Sequence, residues 1–204
     1  MVRRSVPLVQ IDLCDGEFVP SKTYGGRGTP SSLRQLASLF GDDGLEWELD
    51  MMVRMNTVER MGFWHKRLYD IQPDRVVIHV TSVSDWKMFS RTMYKVPCVW
   101  GLAVTNKTPI KKIKSVMDRA PFSYLQIMGI DKVGYSGQSL SKRTEQTIRQ
   151  LTREFPGTTI SVDGGVKLEN TAELIAAGAS QLGVNSGLFK AENIGEQIYK
   201  FNNS

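Results

Sequence analysis

Apolar and polar positions alternate along residues 8–13, so that Leu8, Gln10 and Asp12 share one face and Val9, Ile11 and Leu13 the other. That is the period of a β-strand. Residues 45–52 repeat it, with Trp47, Leu49 and Met51 opposed to Glu48, Asp50 and Met52. Short, mostly apolar runs follow at 75–79, 96–104, 124–128, 158–162 and 181–184, as expected of strands covered on both faces. Helical periodicity fills the gaps. It runs from a cap at Ser31 or Ser32 to about residue 40, then over 57–69, 84–94, 108–117, 140–155 and 168–177, with a last helix over 190–201. Thr108 and Pro109 put a proline in the first turn of their helix, and Gly178 reads as a C-cap.

A strand–helix unit repeated about seven times predicts a parallel sheet. The expected fold is α/β, a (β/α)8-type TIM barrel in a single domain over residues 1–204. Only seven residues precede Leu8, too few for a strand and a crossover helix. The expectation is therefore a barrel whose first strand is missing or replaced. Its open edge would need cover from the N-terminal residues, the final helix or a partner chain in a homo-oligomer.

Chemistry gathers at the strand ends. Asp12, Asp50 and Asp163 stand at C-terminal ends, the face on which a parallel barrel builds its active site. Asp163 is followed by Gly164 and Gly165, where backbone N–H groups can approach a ligand with no Cβ in the way. The last strand runs into Asn185, Ser186 and Gly187. Two such turns side by side suit a phosphate group. Asp12 and Asp163 read as an acid/base pair, with Asx capping as the plain alternative. Asp50 reads as a metal ligand or as the ion-pair partner of Arg54. His79 reads as a satisfied core histidine, Met52 and Met128 as apolar filler, and Lys132 as a solvated loop residue.

Composition narrows the partners. With 41% hydrophobic and 23% charged residues, the chain has the make-up of an ordinary globular protein. The net charge of +5 comes from scattered basic residues, densest at Arg3, Arg4, Lys111, Lys112 and Lys114, and reads as a solvated surface with no nucleic-acid partner. Cys14 and Cys98 read as reduced core thiols of a cytoplasmic protein. No apolar run reaches the roughly 18 residues of a membrane span, and the first seven residues lack the apolar core of a signal peptide.

Six stretches together resemble ribulose-phosphate 3-epimerases: IDLCDGEFVPSKTY (11–24), LDMMV (49–53), GLAVTNKTP (101–109), MGIDKVGYSGQ (128–138), VDGGV (162–166) and GVNSGLF (183–189). The resemblance implies a 1,1-proton transfer at C3 of a ketopentose phosphate, with two aspartates on opposite faces of a metal-stabilised enediolate. Those aspartates fall at Asp12 and Asp163. The phosphate-binding loops fall at Ser136 and Gly137, Gly164 and Gly165, and Asn185 and Ser186. Apolar methionine caps fall at Met52 and Met128, with Cys14 in place of a third. The two metal-binding histidines fall at Gln10 and Asp50, the loop over 129–138 is one residue longer, and the first strand with its serine has no counterpart. The metal set would then be Gln10, Asp12, Asp50 and Asp163. Being all oxygen, it suits Mg²⁺ or Mn²⁺ more than Zn²⁺. The expected partner is a small phosphorylated sugar. A phosphosugar decarboxylase would carry D-x-K-x-x-D on one strand, and residues 50–52 lack that lysine. A catalytically altered or silent phosphosugar-binding barrel is the remaining alternative.

Overall fold

The computed structural model describes residues 5–25, 28–40, 45–93, 95–135 and 137–204. Seven strands run in chain order through one parallel sheet. They are β1 (Leu8–Cys14), β2 (Glu46–Met52), β3 (Arg75–His79), β4 (Val99–Thr105), β5 (Tyr124–Met128), β6 (Thr159–Asp163) and β7 (Gln181–Gly183). The connections carry α1 (Pro30–Ser38), α2 (Val58–Ile71), α3 (Trp86–Met93), α4 (Ile110–Met117), α5 (Thr144–Glu154) and α6 (Leu168–Ala177). After β7 come a short α7 (Ser186–Phe189) and α8 (Ile194–Asn202).

The sheet is curled. Arg75 Nη1, at the start of β3, donates to Gln181 Oε1, at the start of β7, over 3.1 Å. A flat sheet would hold strands four places apart at about 19 Å. A closed (β/α)8 barrel has eight strands. Among the described residues there are seven, with β1 and β7 at the two ends of the order, so the architecture is a half-barrel of that type.

Curling gives the sheet two unlike faces. On the outer face Leu49, Met51, Val76, Ile78, Leu102, Leu125 and Val162 form one apolar cluster with Leu68, Phe89, Ile113, Ile148 and Leu174 from the helices. The inner face is polar and nearly as dry: Glu48 is 2% exposed and Asp50 and Gln126 are 0% exposed. Both alternating sets of β2 are therefore buried, one under helices and one inside the curl.

The inner layer at the strand N-termini is a polar plug. The Tyr124 hydroxyl donates to Glu48, and the Arg75 guanidinium lies 5.1 Å from the centre of the Tyr124 ring. Burial, above all, raises the Glu48 carboxyl above its ordinary value, and the Tyr124 bond offsets part of the rise. Gly101 leaves room for that ring, since a Cβ there would lie 2.2 Å from Tyr124 Cζ.

Several boundaries differ from the periodicity, each for a local reason. Helix α1 starts at Pro30 with Thr29 as N-cap, ahead of Ser31 and Ser32, because proline's fixed φ suits the first helical position. Pro109 is itself the N-cap of α4 rather than a residue of its first turn. Residues 96–98 form a turn before β4, with the Cys98 N–H donating to the Val96 carbonyl over 2.9 Å. Helix α5 begins at Thr144 and not near residue 140; ahead of it the Ser141 N–H donates to the Gly129 carbonyl at 2.7 Å and the Thr144 N–H to the Ser141 carbonyl at 3.0 Å. The last helix starts at Ile194 and not at residue 190, because Asn193 caps it by accepting from the Glu196 N–H at 3.1 Å, and the small-residue turn ahead of it forms the short α7 with Asn185 as N-cap.

The plug makes a stability prediction. Gly101→Ala would force Tyr124 off its bond to Glu48, and the structure should lose on the order of 1–3 kcal/mol. Chemical denaturation of the two proteins checks this.

Candidate active site

A cavity of about 300 Å³ opens at the C-terminal ends of the strands. Asp12 from β1 and Asp163 from β6 both line it, with Cys14, Met52 and Met128 as apolar wall. The wall continues into Gly164 and Gly165, then Gly137, and through Gly183 into Asn185 and Ser186. Strand order thus brings together residues that are 151 positions apart in the case of Asp12 and Asp163 (163 − 12 = 151).

The two aspartates are under electrostatic pressure. Burial first, then the Asp50 charge, pushes Asp12 up to about 6, while hydrogen bonding by Gln10 and the nearby His79 act the other way. Asp163 is raised well above the ordinary carboxylate range, by burial first and then by Asp50 and Asp12. The Gln10 amide donates to Asp12 Oδ1 over 3.2 Å and lies near enough to Asp163 to stabilise its charge as well. No Lys or Arg lines the cavity among the described residues. Burial and like charge both favour a proton on one member of the pair. The Cys14 thiol, pushed up to about 12 by burial and then by neighbouring carboxylates, is an apolar wall group and no nucleophile.

Asp50 stands outside the cavity lining. Its Oδ1 lies 2.8 Å from His79 Nε2 and its Oδ2 accepts from Gln126 Nε2 at 3.0 Å. The His79 ring packs against Phe18 at 5.0 Å between centroids. Pairing of Asp50 with Arg54 does not occur. Arg54 faces outward, its guanidinium 5.3 Å from the Phe18 ring centre. Asx capping, the plain alternative for Asp12, belongs instead to Asp15, which accepts from the Glu17, Phe18 and Arg54 N–H groups at 2.8 Å each.

The glycine turn is constrained to be what it is. Gly164 and Gly165 have φ of 92° and 77°, a region that side chains rarely adopt. A Cβ on Gly165 would also lie 2.6 Å from the Leu140 backbone. Asn170 fixes the turn, donating to the Gly165 carbonyl at 3.0 Å and accepting from the Lys167 N–H at 2.9 Å. Across the cavity Gln138 clamps the β5–α5 loop, donating to the Lys132 and Tyr135 carbonyls at 2.6 and 2.9 Å.

Of the residues singled out in the sequence, Asp12, Asp163, Gly137, Gly164, Gly165, Asn185 and Ser186 share this one cavity, as do Met52, Met128 and Cys14. Gln10 supports from one layer towards the strand N-termini, and Ser136 lies outside the described residues. Asn185 and Ser186 open a four-residue helix rather than a bare turn. Lys132 is exposed and does not line the cavity. Three further polar residues of the lining, Ser21, Thr23 and Gln138, carry weaker signals in the sequence. Thr23, whose hydroxyl accepts from the Cys14 N–H at 2.9 Å, sits inside the 11–24 stretch. Ser21 donates to the Gly134 carbonyl at 2.6 Å across 113 positions, and no local pattern carries that contact. Gln138 closes the 128–138 stretch, and its polar side chain beside Gly137 was the available signal.

Among the described residues no three His, Cys, Asp or Glu side chains are gathered as a metal cluster. The cavity's own donors are the Asp12 and Asp163 carboxylates, and Gln10 presents its amide N–H side to them. Two mutually repelling carboxylates with no basic side chain in the lining fit a hard cation that keeps several of its waters, in the manner of Mg²⁺. Zn²⁺ finds no imidazole there, since His79 is turned to Asp50, and burial favours the neutral thiol of Cys14 over the thiolate that zinc takes.

The model of the ribulose-phosphate 3 epimerase family matches residues 1–189. A ribulose-phosphate 3-epimerase of Aquifex aeolicus is 28% identical over 203 residues, covering 98% of this chain and 85% of that one. Its counterpart in Buchnera aphidicola is 31% identical over 193 residues, covering 91% and 77%. Among solved structures, 3-hexulose-6-phosphate synthase from Salmonella typhimurium superposes with a TM-score of 0.72 over 98% of this chain and 86% of that one, at 12% identity. That last likeness is one of fold. No helix among the described residues is long and apolar enough to cross a membrane.

The raised Asp12 value fixes the sign of a pH effect. The folded chain holds a proton on Asp12 up to about pH 6, whereas the unfolded chain releases it near the ordinary value, so stability falls as pH rises through that window. Asp12→Asn should be more stable than the parent by on the order of 1–3 kcal/mol at about pH 8, and the gain should vanish by about pH 4. Denaturant titrations at the two pH values in the presence of a chelator check this.

Proposed function

The chain belongs to the ribulose-phosphate 3-epimerase family, and from that premise we propose that it interconverts ribulose 5-phosphate and xylulose 5-phosphate by a 1,1-proton transfer at C3. The observation that carries the reading is the placement of Asp12 and Asp163, both raised, in one cavity with the Gly164, Gly165, Asn185 and Ser186 turns.

The phosphate is held by the turns, which leaves the carbon chain between the two carboxyl groups. Asp12, the less raised of the pair, is ionised at neutral pH and takes the C3 proton. Asp163, the more deeply perturbed, holds a proton and delivers it to the other face of C3. The roles exchange in the reverse direction. The electron pair left by the proton moves towards the C2 carbonyl, and the enediolate is short-lived because Asp163 reprotonates it. Met52, Met128 and Cys14 keep water from the planar intermediate. Gln10 holds both carboxyl groups in register, and Asp50 with His79 and Gln126 forms the rigid layer behind them. Asp12 and Asp163 would hold a hard divalent cation, Mg²⁺ or Mn²⁺ rather than Zn²⁺, joined by Gln10 once its amide is turned to offer the oxygen, with Asp50 completing the negative field from the layer beneath. Such an ion would supply positive charge to stabilise the developing enediolate.

One observation favours a second reading, a catalytically silent phosphosugar-binding barrel: both Asp50 oxygens are engaged by His79 and Gln126. Turnover separates the two. In a coupled assay the parent should convert ribulose 5-phosphate with Mg²⁺ or Mn²⁺ and stop after exhaustive chelation. Asp163→Asn should lower kcat by about 10³-fold or more while the dissociation constant for the sugar phosphate stays within about threefold, because the turns are untouched. Tight sugar-phosphate binding with no turnover under any divalent cation would decide for the silent barrel.

A further inference from the structure

The main cavity would take a phosphate dianion, yet no Lys or Arg lines it among the described residues, and its formal charges are those of Asp12 and Asp163. Backbone N–H groups and the Ser186 hydroxyl orient towards phosphate oxygens but carry no net charge. A dianion entering beside two acidic side chains needs a positive field at its own end.

A second cavity, of about 190 Å³, adjoins the first and shares Gly137 and Ser186 with it. Lys167 and Lys190 line it. Lys167 follows the glycine turn by two residues, and Lys190 follows α7, so each of the two phosphate-facing segments brings one ammonium group to the same space. Neither lysine has an ion-pair partner among the described residues. Glu169 lines the same cavity, so the three side chains sum to one positive charge. Both lysines are exposed, which leaves their stems free to swing towards Ser186.

We propose that Lys167 and Lys190 bind the phosphate monoester of the substrate from the outer side of the Gly164, Gly165 and Ser186 cradle, supplying the charge that the cradle lacks. This rests on the phosphosugar reading of the main cavity and names two binding residues for it. The lysines touch the phosphate and stand apart from C3, so their loss weakens capture and leaves the proton transfer intact.

Inorganic phosphate is the probe, titrated by ³¹P NMR against the parent, Lys167→Met/Lys190→Met and Lys167→Arg/Lys190→Arg. The methionine variant should bind phosphate about tenfold or more weakly, and added salt should weaken the parent more than this variant. The arginine variant should recover most of the loss. With ribulose 5-phosphate the methionine variant should show a raised KM and a kcat within about twofold of the parent. Equal phosphate affinity and equal salt dependence in the parent and the methionine variant would overturn the lysine assignment while leaving the cradle standing. A parent that binds no phosphate would overturn the cradle, and the lysine assignment with it.

Discussion

Asp12 and Asp163 repel each other, and Asp50 repels both, in a space that water hardly reaches. That mutual repulsion organises the molecule's interior. It explains why Gln10 donates to the pair, why Asp50 has two hydrogen-bond partners, and, together with burial as the larger cause, why both carboxyl groups stand above their ordinary range. It also accompanies an inner face that is polar although nearly as dry as the outer one. A curled parallel sheet makes the arrangement affordable. The outer face is closed by an apolar helix layer, so the inner face is free to spend its burial on hydrogen-bonded carboxylates and on the plug of Glu48, Arg75 and Tyr124. Arg75 bridges to Gln181 and thereby holds the two sides of the curl together at the end opposite the site.

The fold was legible because period and punctuation agree. Strands β1 and β2 show alternation, β3, β5 and β6 are short apolar runs, and Gly178 or a proline marks a boundary. What escaped was local hydrogen-bond competition. Ser141 is tied to the Gly129 loop ahead of α5, and residues 185–193, expected to hold a small-residue turn and the start of the last helix, hold a cap, a short turn of helix and a second cap. Seven strands were counted in the sequence and seven are described. The curl, by contrast, is a property of pairs such as Arg75 and Gln181 that no window along the chain contains.

The site was legible in its acids and its turns, because an aspartate at the end of an apolar strand and paired glycines after it are local signals. Its second layer was not. The partner of Asp50 is His79, 29 positions away in sequence, where Arg54 was the nearer candidate. The contact depends on inward-facing residues of β2, β3 and β5 converging, which only the register supplies. Ser21 on Gly134 and the two lysines beside Ser186 were invisible for the same reason. Lys167 and Lys190 are ordinary surface lysines until the β6–α6 and β7–α8 connections bring them to one cavity.

The central claim is that two carboxyl groups on opposite faces of C3 share the work of one inversion. Conversion of ribulose 5-phosphate in deuterium oxide, followed by proton NMR at early times, tests it most directly. The account predicts that xylulose 5-phosphate carries deuterium at C3 from the first turnovers while the remaining substrate still carries protium, because the delivered proton comes from a group in exchange with solvent. Product that retains the substrate's own C3 proton would mean that a single group removes and returns it, and would contradict the pairing of Asp12 with Asp163.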